Sequence, residues 1–145
     1  MKITHALLAE HALLYRLLDH CAEGTDWSLE RTQGAGNALA AALLAHASIE
    51  DELLFSALDR HLPPMGPLAV MRQEHEEIEG GLAQLPQATD AETARRLLRH
   101  VAGVARDHFA KEEQVLFHMA EQVLSAEDLE RLGREWAGRT ALVHS

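Results

Sequence analysis

The sequence has little cysteine, few basic residues and no long apolar run. Cys21 is the single cysteine, which excludes an intramolecular disulfide and a Cys-x-x-Cys site and suits a reducing compartment. Lys and Arg number 13 against 23 Asp and Glu, so the clustered basic surface that nucleic-acid phosphates require is missing. No stretch approaches the roughly 18 consecutive apolar residues of a membrane-spanning helix. We therefore expect a soluble, acidic protein that binds neither nucleic acid nor a membrane.

Aromatic residues and prolines are also scarce, and the remaining composition favours helices. Aromatics make up 4% and there are four prolines, whereas hydrophobic residues make up 47%, with Ala and Leu abundant. A chain of 145 residues has the usual size of one domain and can bury a core without disulfides. The apolar run before Glu10 is too short for a signal peptide. We predict one all-α domain over residues 1–145, located in the cytoplasm.

Helix start and stop signals divide the chain into five helices. The predicted helices span about residues 2–23, 28–62, 67–85, 89–124 and 126–141. Gly24, Pro63 and Pro86 follow the first three, and capping boxes that begin at Thr89 and Ser125 precede the last two. Four long helices with short connections favour an up-down-up-down four-helix bundle over about residues 3–124, with the short fifth helix folded back on one end.

Each long helix carries an apolar stripe that a histidine interrupts. The predicted core stripes are Leu7, His11, Leu14 and Leu18; Leu39, Leu43, His46, Glu50, Leu54 and Ala57; Leu68, Met71, His75, Ile78 and Leu82; and Leu97, Val101, Val104, His108, Glu112, Val115 and Met119. On the fifth helix, Leu129, Leu132 and Trp136 are expected to pack against the bundle end.

Four histidines and two glutamates in these stripes predict a metal site. In His46/Glu50 and His108/Glu112 the carboxylate follows four residues after the imidazole, so each pair lies side by side on one helix face. A lone buried histidine is usually a hydrogen-bonded core residue. A set of four with two carboxylates is costly to bury unless its members are paired or bind metal.

The kinds of donor atom narrow the choice of metal. Nitrogen and carboxylate donors together suit iron, manganese or zinc, whereas calcium and magnesium prefer oxygen alone. The His-Glu-x-x-His motif of zinc hydrolases is absent from the sequence. Ferritin-like di-iron bundles use Glu-x-x-His, and the order in this chain is the reverse.

The segments around these residues resemble the hemerythrin-like, or HHE cation-binding, family over about residues 3–124. The matching segments are Ala9-Glu10-His11, His46-Ala-Ser-Ile-Glu50-Asp-Glu-Leu-Leu-Phe55, Met71-Arg-Gln-Glu-His75 and His108-Phe-Ala-Lys-Glu112-Glu-Gln-Val-Leu-Phe117. The resemblance implies a non-heme di-iron centre inside a four-helix bundle, with two irons sharing an oxo or hydroxo bridge. It implies the terminal ligands His11, His46, His75 and His108 and the bridging carboxylates Glu50 and Glu112.

The chain departs from the oxygen-carrying hemerythrins at two positions. Those proteins have a second histidine four residues after the third-helix histidine, where this chain has Glu79. They also place the fourth-helix carboxylate one residue later, at Glu113 in this chain. By helical angle we prefer Glu112 as the ligand and expect Glu113 to be solvated. Glu79 is left open as an additional ligand or a surface residue.

Other polar residues near the stripes receive weaker assignments. Tyr15 is either a hydrogen-bond donor close to the metal or an ordinary core tyrosine. Glu10 and Glu74 could orient ligand imidazoles, although a glutamate beside a core face is more often solvated. His5, His20 and His118 are expected to be exposed, and His61 and His100 are not expected to bind metal.

Counting coordination positions gives a functional hypothesis. With about six positions per iron, the six residues and a shared bridge leave roughly two open, or one if Glu79 binds. We therefore predict a di-iron protein that binds or reduces dioxygen, peroxide or nitric oxide, with manganese or zinc as alternative metals. A non-enzymatic oxygen or iron sensor or carrier is the second hypothesis, and a zinc-binding or purely structural bundle is the third. A homodimer is possible.

Overall fold

The computed structural model describes residues 1–144, with side chains described as far as Thr140. Its five helices are named α1 to α5. α1 spans Ile3–Ala22 and α5 spans Ala126–His144. α2 spans Leu29–Ile49 and continues as a π-helical segment, Glu50–Phe55, and a last turn, Ser56–Leu58. α3 spans Pro67–Gln84 and ends in a 3-10 turn, Leu85–Gln87, and α4 spans Ala91–Lys111 and continues as a π-helical segment, Glu112–Leu116, and a last α-helical segment, Phe117–Val123. The prediction of an all-α chain is confirmed, since the described residues contain no strand.

Short polar side chains start three of the helices. Ser28, Asp90 and Ser125 each accept a hydrogen bond from the backbone N–H three residues later, at 3.1, 2.9 and 3.0 Å. Such a bond satisfies one of the amide groups that a helix start leaves without a partner. The cap of α4 is therefore Asp90, one residue after the predicted Thr89. None of the described helices is both long and apolar enough to cross a membrane.

The apolar core consists of two clusters separated along the helices. Within the bundle α1 packs on α2 and α4, and α3 packs on α2 and α4, while α5 packs on α1. The first cluster includes Leu14, Leu18, Trp27, Leu39, Leu43, Ile78, Leu82, Leu98, Val101 and Phe109. The second includes Ile3, Leu7, Leu54, Phe55, Leu58, Leu68, Met71, Leu116, Phe117, Leu129 and Leu132. The four stripe histidines lie between these clusters in sequence on every long helix.

The two π-helical segments shift the core face by one residue. Each begins at a buried glutamate, and i→i+5 hydrogen bonds put one more residue into the turn than an α-helix has. On α4 the prediction that Val115 is a core residue is wrong, because Val115 is 47% exposed and Leu116 is 1% exposed. On α2 the buried position is Leu58, and the predicted Ala57 is only partly buried. A straight α-helical period cannot anticipate this shift.

The fifth helix packs against α1 and against the π-helical segment of α2. Leu129 and Leu132 are buried in the second cluster with Trp136 packed beside it, as predicted. Gly133 permits a close approach to the start of the chain, because a Cβ at this position would lie 1.9 Å from the Met1 carbonyl oxygen. α5 is therefore tightly seated along the first helix.

The π-helical register of α4 can be tested with two neighbouring alanine substitutions. Leu116→Ala is expected to lower the free energy of unfolding by about 2–5 kcal/mol, because it removes a fully buried side chain. Val115→Ala should change it by less than about 0.5 kcal/mol, because that side chain is exposed. Urea denaturation measures both. The opposite order would show that α4 has a straight α-helical register at this point.

Candidate metal centre

All six residues singled out by the sequence lie together between the two core clusters. Their side chains are between 0% and 5% exposed. Each of the four long helices contributes a histidine, and both glutamates lie at the first residue of a π-helical segment. The set consists of His11 on α1, His46 and Glu50 on α2, His75 on α3, and His108 and Glu112 on α4.

One group able to hold a metal ion comprises His11, His46, Glu50 and Glu112. The Nε2 atoms of the two imidazoles lie 3.2 Å apart. Glu112 Oε1 lies 3.2 Å from His11 Nε2, and Glu50 Oε2 lies 3.4 Å from His46 Nε2. Four donor atoms thus converge on one point from three helices.

A second group comprises His75 and His108 with the same Glu50. Glu50 Oε1 lies 3.1 Å from His75 Nε2, and the two imidazole Nε2 atoms lie 3.0 Å apart. Glu112 Oε1 lies 3.3 Å from His108 Nε2. Glu50 therefore directs one carboxylate oxygen toward each group, and Glu112 lies within contact distance of both.

The outer nitrogen of every imidazole has a carboxylate partner. The Nδ1 atoms of His11, His46, His75 and His108 donate to Glu113, Glu10, Asp51 and Glu74 at 3.1, 2.7, 3.0 and 3.0 Å. Each bond fixes the orientation of its ring and turns Nε2 toward the interior. Carboxylate partners of this kind are the usual support of metal-binding histidines.

These outer carboxylates correct and extend the sequence analysis. The expectation that Glu113 is solvated is wrong: its side chain is 30% exposed and accepts hydrogen bonds from His11 and from the Tyr15 hydroxyl, the latter at 2.9 Å. Tyr15 is thus a donor near the site. Glu10 and Glu74 orient imidazoles. Asp51 was missed, and its position directly after Glu50 was the only available signal.

Aromatic rings and further donors surround this polar layer. Phe109 stacks on His11 with ring centroids 4.1 Å apart, and Phe55 stacks on His75 at 5.3 Å. Trp136 Nε1 donates to Glu10 at 3.0 Å, and Lys111 pairs with Glu74. The site is therefore dry on its inner side and held by hydrogen bonds on its outer side.

Three buried carboxylate oxygens have no hydrogen-bond partner, which is the strongest evidence that the cluster suits a cation. They are Glu50 Oε2, Glu112 Oε1 and Glu112 Oε2. Unpartnered buried carboxylates are costly unless an opposite charge compensates them. Two ligand atoms each about 2.1 Å from one ion and at right angles to each other would be about 3 Å apart. The measured Nε2 separations of 3.2 and 3.0 Å fit this geometry.

Burial and mutual contact displace the pKa values of the cluster in opposite directions. Burial and the neighbouring imidazole of His46 lower the pKa of His11 to about 3. Burial also acts against charge on His46, but the carboxylates of Glu50 and Glu10 outweigh it and raise that pKa to about 10. Burial and the adjacent Glu50 raise the pKa of Glu112 well above its ordinary value. The balance of burial and charge therefore favours the protonated form of Glu112 and the charged form of His46 in the metal-free cluster.

The remaining candidates lie outside the cluster. Glu79 is exposed and belongs to neither group, but it lines a cavity of about 10 Å³ together with His46, His75 and His108. Five further histidines are exposed, and exposure was expected for the first three: His5, His20, His118, His61 and His100. The side chain of His144 lies outside the described residues.

The all-helical fold and the buried His/Glu cluster define a helical domain with a candidate cation site. The family model named hemerythrin HHE cation binding domain matches residues 2–120 and residues 67–136. The chain therefore belongs to the hemerythrin HHE cation-binding family, as the resemblance predicted. No curated protein and no solved structure matches it.

A Glu112→Gln variant tests the unpartnered carboxylate in the metal-free protein. Because the pKa of Glu112 is raised in the folded chain, its contribution to stability is greatest below the unfolded value and falls as pH rises toward the folded value. The uncharged amide of Glu112→Gln cannot ionise, so the variant does not lose this stability as pH rises. We expect chelator-treated Glu112→Gln protein to exceed wild type by about 1 kcal/mol or more near pH 8, and by less near pH 5.

Urea denaturation at the two pH values measures this difference. Glu130→Gln changes an exposed carboxylate to the same amide and should show no pH-dependent gain. A destabilised Glu112→Gln protein at both pH values would mean that the carboxylate is well compensated without metal.

Proposed function

We propose that the chain binds two iron ions in the His/Glu cluster and reduces a small oxidant there. His11 and His46 hold one ion, His75 and His108 hold the other, and Glu50 and Glu112 bridge them, with an oxo or hydroxo group completing the bridge. The observation that carries the proposal is the set of three buried carboxylate oxygens without hydrogen-bond partners, facing imidazole nitrogens on both sides.

The contacts between helices support an up-down-up-down four-helix bundle as the frame of this site. α1 packs on α2, α2 on α3, α3 on α4 and α4 on α1, and α2 also packs on α4 across the bundle. Short connections between consecutive helices favour antiparallel neighbours. Such a frame brings residues from four different helices to one depth, as the distances within the cluster require.

The donor set suits iron or manganese better than it suits a structural zinc ion. Four imidazole nitrogens and bridging carboxylates provide mixed nitrogen and oxygen coordination, which suits iron or manganese and leaves positions free. A structural zinc site would be closed and tetrahedral, with each ion fully held by protein ligands. When bound, the iron pair supplies the electrons for reduction of the oxidant. The protein supplies ring orientation through Glu10, Asp51, Glu74 and Glu113.

A small cavity beside the cluster limits the size of the oxidant. It is lined by residues of α2, α3 and α4, among them the three imidazoles of His46, His75 and His108. Its volume of about 10 Å³ is close to the space that one water-sized molecule needs. Dioxygen, peroxide and nitric oxide have a suitable size for this cavity, whereas a larger organic molecule would not fit in it. The exposed Glu79 lies at its rim and is the remaining candidate for an additional ligand.

The metal content of the protein is the direct test. Chain purified from iron-supplied cells should contain about two irons per chain, and the double variant His108→Ala/Glu112→Ala should lose most of them. His118→Ala, a change at an exposed histidine of the same helix, is the matched control and should keep its iron. Inductively coupled plasma mass spectrometry measures the ratio. Zinc alone, or no metal in the wild type, would contradict the proposal.

Access to the metal pair can be tested at Ala47, which lines the cavity and is 9% exposed. Ala47→Leu should fill the space while leaving every proposed ligand in place. We expect full iron content but at least about a tenfold slower oxidation of the reduced protein by hydrogen peroxide. Stopped-flow absorbance measures the rate.

Ala41→Leu adds the same side chain at an exposed position of α2 and should react like wild type. An unchanged rate in Ala47→Leu would show that the oxidant reaches the metals by another route. Reversible binding of dioxygen without net oxidation would favour an oxygen carrier or sensor over an oxidant-reducing protein.

A further inference from the structure

We propose that Trp136 of α5 is a positioning residue for the metal centre, acting through Glu10 on His46. The inference rests on the proposed metal site and adds a contribution from the fifth helix. The two ranges of the family match, residues 2–120 and 67–136, include Glu10 and Trp136 respectively.

A chain of two hydrogen bonds connects Trp136 to the cluster. Its indole Nε1–H donates to Glu10 Oε2 at 3.0 Å, and Glu10 Oε1 accepts from His46 Nδ1 at 2.7 Å. The two oxygens of one carboxylate are thus used by two different partners. Since Glu10 is held on both sides, the His46 ring cannot rotate without breaking a bond or displacing α5.

The Glu10 side chain is 22% exposed and can therefore be reached by water. It lines an open apolar groove of about 340 Å³ between α1 and α2, together with His46 and with Thr140 of α5. Water in the groove would compete for both carboxylate oxygens. The indole donor keeps one oxygen occupied and leaves the other directed at His46 Nδ1.

Two further contacts hold α5 in the place that this bond requires. Gly133 lies against the Met1 carbonyl, where a side chain would not fit. Arg139 pairs with Glu52, which belongs to the π-helical segment that begins at Glu50. The fifth helix therefore contacts α1 and α2, two of the three helices that carry ligands of the first metal group.

The two metal positions differ in this respect. Behind His11 and His46, the outer carboxylates Glu113 and Glu10 receive hydrogen bonds from the neutral donors Tyr15 and Trp136. Behind His108, Glu74 is paired with the cation Lys111. A neutral donor holds the carboxylate without placing a positive charge beside it, so the net charge next to the imidazole stays negative, which strengthens that imidazole as a metal ligand.

A double-mutant cycle separates positioning from packing. In Trp136→Phe the ring remains and the donor is lost, and in Glu10→Gln the carboxylate is lost. We expect Trp136→Phe to weaken ferrous iron binding by about 10-fold under anaerobic conditions, and to have little further effect in the Glu10→Gln background. Trp27→Phe, a change at the other tryptophan, is the matched control, because Trp27 lies in the first core cluster and should leave iron binding unchanged.

The outcomes distinguish this inference from the proposed function. Iron binding by Trp136→Phe as tight as wild type, or equal losses from Trp136→Phe in both backgrounds, would overturn the positioning role. A wild type that binds no metal would refute the proposed function itself. Circular dichroism establishes that each variant is folded.

A second measurement needs no change at Trp136. The indole N–H proton of Trp136 should shift in the NMR spectrum when diamagnetic zinc is added, because the charge on Glu10 and His46 is redistributed. The indole proton of Trp27 should not move, and Trp27→Phe assigns the two signals. An unmoved Trp136 signal at saturating zinc would overturn the inference.

Discussion

The burial of Glu50 and Glu112 inside an apolar bundle is the constraint on which the structure depends. Both side chains are 0% exposed, and three of their four oxygens lack a hydrogen-bond donor. Everything around them compensates this cost: imidazoles approach from four helices, and an outer layer of carboxylates fixes the rings. Such an arrangement is poor for stability alone, since apolar residues of similar volume would cost less. It is best understood as preparation for a cation, and membership in a cation-binding family agrees with this reading.

The six central residues could be predicted because each interrupts an otherwise apolar stripe at a helical spacing. A polar side chain at such a buried position is costly unless it is paired or binds a metal. The π-helical segments could not be predicted, since a change from i→i+4 to i→i+5 bonding leaves no clear period in the sequence. This is why Val115 was assigned to the core in place of Leu116. Glu113 was wrongly expected to be solvated for a related reason. Its angle on a straight α4 helix does not show that His11 and Tyr15 of α1 lie within hydrogen-bond distance.

The contact between Trp136 and Glu10 spans 126 positions in the sequence, and no local pattern marks it. The fifth helix was predicted as an end cap because its apolar residues were visible, whereas its polar contact was not. Propensity and periodicity thus identify which residues are buried. The contacts between buried groups depend on how whole helices are placed relative to one another. The packing of the two core clusters determines that placement.

The division of the core into two apolar clusters has a consequence for the unfolding of the molecule. The helices cross from one cluster to the other through a layer of charged and imidazole groups, whose apolar contacts are mainly the rings of Phe55, Phe109 and Phe117 stacked on imidazoles. Most helical proteins open first at their termini. In the metal-free chain the buried charges make this central layer a poorer link between the two clusters than the apolar packing within each of them. A cation held by residues of several helices would strengthen that link, so metal occupancy would raise the cooperativity of unfolding.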